Sequence, residues 1–126
     1  MQAVRKQSHD TLRIGVFAIG LEAYWSQFPD LRAGIETRLR EIEMRLGQWG
    51  EVISGGIIDS AMTGVNAGEM FASERIDLLV CFTGTYATSS IALPVVQRAG
   101  VPVILLHLQP GAAMAYATAA ARFQSA

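Results

Sequence analysis

The chain has little from which a redox or metal framework could be built. It carries one cysteine, Cys81, and two histidines, His9 and His107, in 126 residues. A lone cysteine excludes a disulfide framework. Cys81 sits inside an apolar run and reads as a small buried hydrophobe, which fits a reduced, cytoplasmic setting. Two histidines cannot form a metal cage alone, and no metal ligand is assigned. An excess of basic charge is also missing, because ten Lys and Arg stand against eleven Asp and Glu, for a net charge of −1. A nucleic-acid footprint and a polybasic membrane anchor both need clustered positive charge, so neither partner is expected. No run approaches the ~20 apolar residues of a membrane span. Met1–Asp10 is polar and lacks the apolar centre of a secretory signal.

The common nucleotide motifs are absent as well. GLEAYW at Gly20–Trp25 holds one glycine, so it is no GxGxxG, and no GxxxxGK[ST] occurs. No Ser-His-Asp order supports hydrolysis, and no catalytic residue is assigned. A receiver domain would want an aspartate at the end of the third strand, where this chain has Cys81–Phe82.

What is present is a repeat of apolar runs and helical patterns in about thirty-residue steps, the pattern of a parallel sheet built from βαβ units. Half of the residues are hydrophobic, at 51%, enough for one packed core. Met1–Thr11 reads as a leader and residues 12–126 as one domain. Leu12–Ile19 (LRIGVFAI) is the first strand, ended by Gly20. GLEAYWSQF follows as a loop, and Pro29 suits the first turn of a helix reaching about Gln48. Leu31, Ile35, Leu39, Ile42, Leu46 and Trp49 form its apolar stripe. Glu51–Ile57 is a second strand whose glycines suit a sheet edge. Asp59 or Ser60 caps a helix over Ala61–Glu74 with Val65, Met70 and Phe71 inward. Gly64 and Gly68 weaken that helix.

Ile76–Phe82 is branched, apolar and non-alternating, as a strand covered on both faces should be. The polar TGTYATSS turn follows, then a short helix that Pro94 kinks or starts, then Val103–Leu108 as a second fully buried strand. The expected fold is therefore α/β, a three-layer flavodoxin-like (Rossmann-like) parallel sheet in strand order 2-1-3-4 with helices on both faces. Gly111–Gln124 offers one further helix, and its Ala112–Ala121 part is apolar and alanine-rich, a packed or partner-facing segment. Ligands in such folds bind at the carboxyl edge of the sheet, where Thr83–Ser90 and His107–Gln109 should lie side by side. Hydroxyls before a helix could wrap an anion or simply cap the helix. Aromatic faces on the loops suit sugars or a subunit interface equally.

GLEAYWSQFPDLR after the first strand and DLLVCFTGTYATSSIALPVVQRAGVPVILLHLQP later resemble the N-terminal domain of the L-arabinose isomerase and L-fucose isomerase group, over roughly Leu12–Ala115. The resemblance implies a domain that precedes two others in an aldose–ketose isomerase, reaches over a neighbouring subunit's active site, and assembles into a homo-oligomeric trimer or hexamer. It implies substrate contacts from Glu22 and Tyr24 after the first strand. Thr83, Thr85 and Tyr86 after the third, and His107 and Gln109 after the fourth, complete the set. The divalent metal, manganese, belongs to the family's downstream domains, so this chain alone is expected to bind no cofactor and to be inactive. Leu21–Tyr24 reads LEAY where arabinose isomerases proper carry Gln-His-Leu-Tyr, which leaves the sugar open. Two alternatives stand beside this reading. One is a stand-alone module that binds a small polyol or anion or serves oligomerisation. The other is a relative of the flavin- and phosphate-binding flavodoxins.

Overall fold

The computed structural model describes residues 11–84 and 89–107. The elements in order are β1 (Arg13–Ile19), α1 (Tyr24–Gln27), α2 (Leu31–Leu46), β2 (Glu51–Ile58), α3 (Ala61–Ser73), β3 (Leu78–Thr83), α4 (Ser89–Ala99) and β4 (Val103–Leu106). The four strands pair in the order β2-β1-β3-β4, all parallel. This is the flavodoxin-like α/β arrangement that the spacing of apolar runs predicts. The leader as far as Asp10 lies outside the described residues, as do Thr85, Tyr86, Leu108, Gln109 and the further helix expected within Gly111–Gln124, Ala112–Ala121 included.

Alternation within the central strands sends side chains to two separate cores. Phe17 and Ile19 of β1, with Leu79 and Cys81 of β3, join Phe71 of α3 and Ile91 and Val95 of α4 on one face. Ile14, Val16 and Ala18, with Val80 and Phe82, join Ile35, Leu39 and Ile42 of α2 on the other. Among the described residues, one face therefore carries two long helices and the other carries one.

α3 and α4 approach closely because α3 presents glycines. A Cβ on Gly64 would lie 2.4 Å from the Ile91 carbonyl oxygen, and one on Gly68 would lie 2.8 Å from that of Pro94. The two glycines read as weaknesses in the sequence are thus the contact surface of a regular helix. Ser60 caps that helix, accepting from the Thr63 N–H while the Thr63 hydroxyl accepts from the Ser60 N–H. Of the three residues expected to face inward, Phe71 is fully buried and Met70 packs at the core's margin, while Val65 is only half-buried.

Several boundaries differ from the sequence reading. A short helix, α1, interrupts the loop after β1. Pro29 lies in the turn ahead of α2 rather than in its first turn. α2 ends at Leu46 and the chain turns at Gly47, so Trp49 leaves the apolar stripe and is 66% exposed. Pro94 lies inside α4, not at its start. β4 stops at Leu106, with Ile104 48% and Leu105 71% exposed. Among the described strands it forms one edge of the sheet, and the described residues do not give it the double coverage expected. The other edge is β2, as its glycines suggested. β2 carries a bulge: Val16 pairs with Ser54 and Ala18 with Ile57, so Gly55 and Gly56 together oppose Phe17. Gly56 has φ +70, which its lack of a Cβ permits.

Candidate functional site

The four strands end in register, which fixes what their following loops can share. Ile19 pairs with both Ile58 and Thr83, and Phe82 pairs with Leu106. Asp59, Gly20, Gly84 and His107 therefore leave the sheet at one level along its carboxyl edge. The chain direction of the connections reverses between β1 and β3, and such a switch point opens the crevice where ligands bind in these folds. The Gly84 N–H donates to the Ile19 carbonyl at 3.1 Å, closing the β1–β3 junction.

Two groups of side chains stand on this edge. At its β3–β4 end the Thr83 hydroxyl lies 2.8 Å from His107 Nδ1. These residues are 24 positions apart, and consecutive parallel strands put them side by side. Thr83 is half-buried and His107 exposed. With the hydroxyl donating to Nδ1, the neutral ring keeps Nε2–H as a donor turned to another partner. A hydroxyl beside an imidazole is also the start of a nucleophilic pair, which needs a third group orienting the far ring nitrogen. Among the described residues nothing hydrogen-bonds that nitrogen.

At the β1–β2 end the centre is Asp59. Its Oδ2 accepts from the Trp25 indole N–H at 2.9 Å and from Arg32 at 3.1 Å. The Arg32 guanidinium lies 5.4 Å from the centre of the Trp25 ring, a cation–π contact. The Asp59 carbonyl accepts from the Glu22 N–H at 3.3 Å, and its own N–H donates to Thr63 Oγ1 at 3.2 Å. Asp59 thus ties the loop after β1 to the start of α3. Its carboxylate is only 14% exposed, whereas Arg32 is 43% exposed. Sequence reading offered Asp59 or Ser60 as the helix cap, and Ser60 takes that role. The partners lie 27 and 34 residues away, and no local spacing signals such a link.

Of the residues expected at the site, Thr83 and His107 meet directly. Glu22 is exposed on the loop after β1, its backbone held by Asp59. Tyr24 begins α1, half-buried, with its ring edge-on to Phe28 at 6.1 Å. Thr85, Tyr86 and Gln109 lie outside the described residues. Cys81, behind this edge, is 3% exposed, and burial pushes its thiol up to about 11. It is a core residue, not a nucleophile.

Among the described residues no three His, Cys, Asp or Glu side chains could jointly hold a metal ion. No helix among the described residues is long and apolar enough to cross a membrane. No protein-family model matches the chain, and no curated protein sequence matches it at a significant level. The resemblance to the isomerase group therefore rests on the residues quoted for it.

Proposed function

We propose that this flavodoxin-like domain contributes polyol contacts from its carboxyl edge, as the substrate-covering and oligomerising N-terminal part of an aldose–ketose isomerase of the arabinose and fucose isomerase kind. The observation that carries the reading is the Thr83–His107 pair, 2.8 Å apart beside the β1–β3 crevice. A hydroxyl and an imidazole offer a donor and an acceptor to vicinal sugar hydroxyls, and Glu22 and Tyr24 stand on the adjoining loop. Aldose–ketose interconversion leaves charge on the oxygens at C1 and C2, which a divalent cation stabilises when bound. In this reading the cation is held by the family's downstream domains, and the part of these side chains is to bind and orient the sugar. Metal-dependent isomerase activity from this chain alone would overturn the proposal.

The direct test is amide chemical-shift mapping of the full chain with millimolar L-arabinose, L-fucose and inorganic phosphate in turn. Sugar-dependent shifts at Glu22, Tyr24, Thr83, Gly84 and His107 that weaken in Thr83→Val support the reading. Shifts with phosphate only would make the edge an anion site. No localised shifts with either sugar would refute it.

A further inference from the structure

The end of β2 faces as it does because of the bulge. Ahead of it, Val52 packs on the α2 face and Ile53 on the α3–α4 face. Ser54 turns to α2, where its hydroxyl donates to the Glu43 carboxylate. Gly55 turns the other way, since a Cβ there would lie 2.8 Å from the Phe71 ring. Strict alternation would then send Gly56 to the α2 face, Ile57 to the α3–α4 face and Ile58 back to the α2 face. The observed order is the opposite: Ile57 packs on the α2 face and Ile58 on the α3–α4 face. Gly56 is the extra residue that shifts the phase by one. Asp59 follows in the new phase, and its carboxylate meets Trp25 and Arg32 on the α2 side. In an unbulged strand of the same length it would turn towards α3 and α4.

The bulge is braced. The extra residue of a bulge is left without a ladder partner, and here the Gly56 N–H donates instead to Ser54 Oγ at 3.2 Å. The same hydroxyl is held by Glu43, so α2 fixes the bulge from its own side. Beyond the bulge, the chain grips the loop after β1. The Ile58 carbonyl accepts from the Gly20 N–H at 3.0 Å, the Asp59 carbonyl from the Glu22 N–H at 3.3 Å, and the Asp59 carboxylate from the Trp25 indole at 2.9 Å. Glu22 and Tyr24 lie within that span.

We propose that the Gly55–Gly56 bulge, braced by Ser54 and Glu43, is a positioning device: it sets the face to which Asp59 turns, and thereby the loop that presents Glu22 and Tyr24. That this loop serves a polyol rests on the function proposed above; the positioning itself does not. Deleting Gly56 removes the bulge without changing the phase, because Ile57 then follows Gly55 directly. A β-branched residue at position 56 disfavours φ +70 and with it the bulge, although among the described residues a Cβ there meets nothing within 4 Å. Deletion should therefore be milder than substitution.

The test follows the two indole N–H signals of the full chain, Trp25 and the exposed Trp49, told apart by Trp49→Phe. In the wild type, in Gly56→Asn and in the chain lacking Gly56, the Trp25 indole should exchange with solvent roughly five-fold more slowly than that of Trp49, as one hydrogen bond provides. Asparagine keeps the bulge because it tolerates the left-handed region. In Gly56→Val the difference should vanish and the Glu22 and Tyr24 amides should shift, while the Leu79–Phe82 amides hold their positions. Gly56→Ala carries the same expectation should Gly56→Val fail to fold. Slow Trp25 exchange retained in the valine or alanine variant, or lost on deletion, would overturn the proposal. Millimolar L-arabinose or L-fucose then separates the positioning from the polyol reading. Sugar-dependent shifts at Glu22 and Tyr24 that vanish in Gly56→Val, while those at Thr83 and His107 persist, support both. Shifts at Glu22 and Tyr24 that persist undiminished in that variant overturn the positioning. No sugar-dependent shifts in the wild type refute the polyol reading, and the indole signals alone then decide the positioning.

Discussion

Gly34 and Gly64 hold the same place in two helices, and replacing each by alanine should move stability in opposite directions. Each is the fourth residue of its helix, and each N–H bonds the carbonyl just before it, Asp30 at 3.1 Å and Ser60 at 3.0 Å. Neither has positive φ. Alanine is favoured over glycine within a helix by about 1 kcal/mol at both positions. At Gly34 a Cβ meets nothing within 4 Å, so Gly34→Ala should gain ~0.5–1 kcal/mol. At Gly64 the Cβ would stand 2.4 Å from the backbone oxygen of Ile91. A main-chain atom cannot swing aside as a side chain can, so α4 must move as a unit. Overpacking costs ~1–3 kcal/mol, and a backbone clash belongs at the upper end. Against the propensity gain, Gly64→Ala should lose ~2 kcal/mol net. The two variants should therefore differ by ~2–3 kcal/mol, or roughly 1–2 M in urea midpoint with unchanged slope. Equal midpoints, or a more stable Gly64→Ala, would mean that α3 and α4 do not touch through these glycines.

Asp59→Ala should cost ~1–3 kcal/mol, because the Trp25 indole and Arg32 lose a shared, mostly buried acceptor; Asp59→Asn should lose less. Amide hydrogen exchange of Gly20–Phe28 should rise in the alanine variant, and unchanged protection there would refute the tie. Native Cys81 should resist alkylation at pH 8 and react at once in denaturant, a contrast read by mass spectrometry. Its raised thiol also sets a pH window. Above the ordinary thiol range the unfolded chain sheds a proton that the folded chain keeps, so stability falls as pH climbs towards about 11. The loss reaches at most about 1.4 kcal/mol per pH unit and should vanish in Cys81→Val. Trp25→Phe should keep the fold but remove the indole bond to Asp59, lowering stability by ~1 kcal/mol in urea titration.

The central strands were legible because burial on both faces leaves an unbroken apolar run, as in β1 and β3. Strand order followed from βα repetition, read as the flavodoxin-like order 2-1-3-4. Edge behaviour was less legible. VPVILL reads like a central strand, yet Leu105 is largely exposed, since composition does not say which strand ends the sheet. Trp49 looked like a stripe residue because spacing alone ignores the turn at Gly47 that ends α2. Gly64 and Gly68 misled for a related reason: propensity is local, whereas the value of a missing Cβ depends on another helix. At the candidate site, Thr83 and His107 could be paired from topology, since both follow consecutive parallel strands. The Asp59 link to Trp25 and Arg32 could not, because it joins residues whose proximity only the folded chain creates.

The bulge in β2 gives the sheet a direction of growth. A strand added outside β2 would meet an interrupted ladder at Gly55–Gly56, where the hydrogen-bond repeat slips by one residue. The opposite border has no such interruption: Leu79 to Phe82 pair evenly with Val103 to Leu106. Among the described strands, the bulged β2 is the poorer template for an added strand and β4 the more regular one. Edge-to-edge stacking through the described strands should therefore favour Val103–Leu106 over β2, and a lysine or proline there would disfavour it.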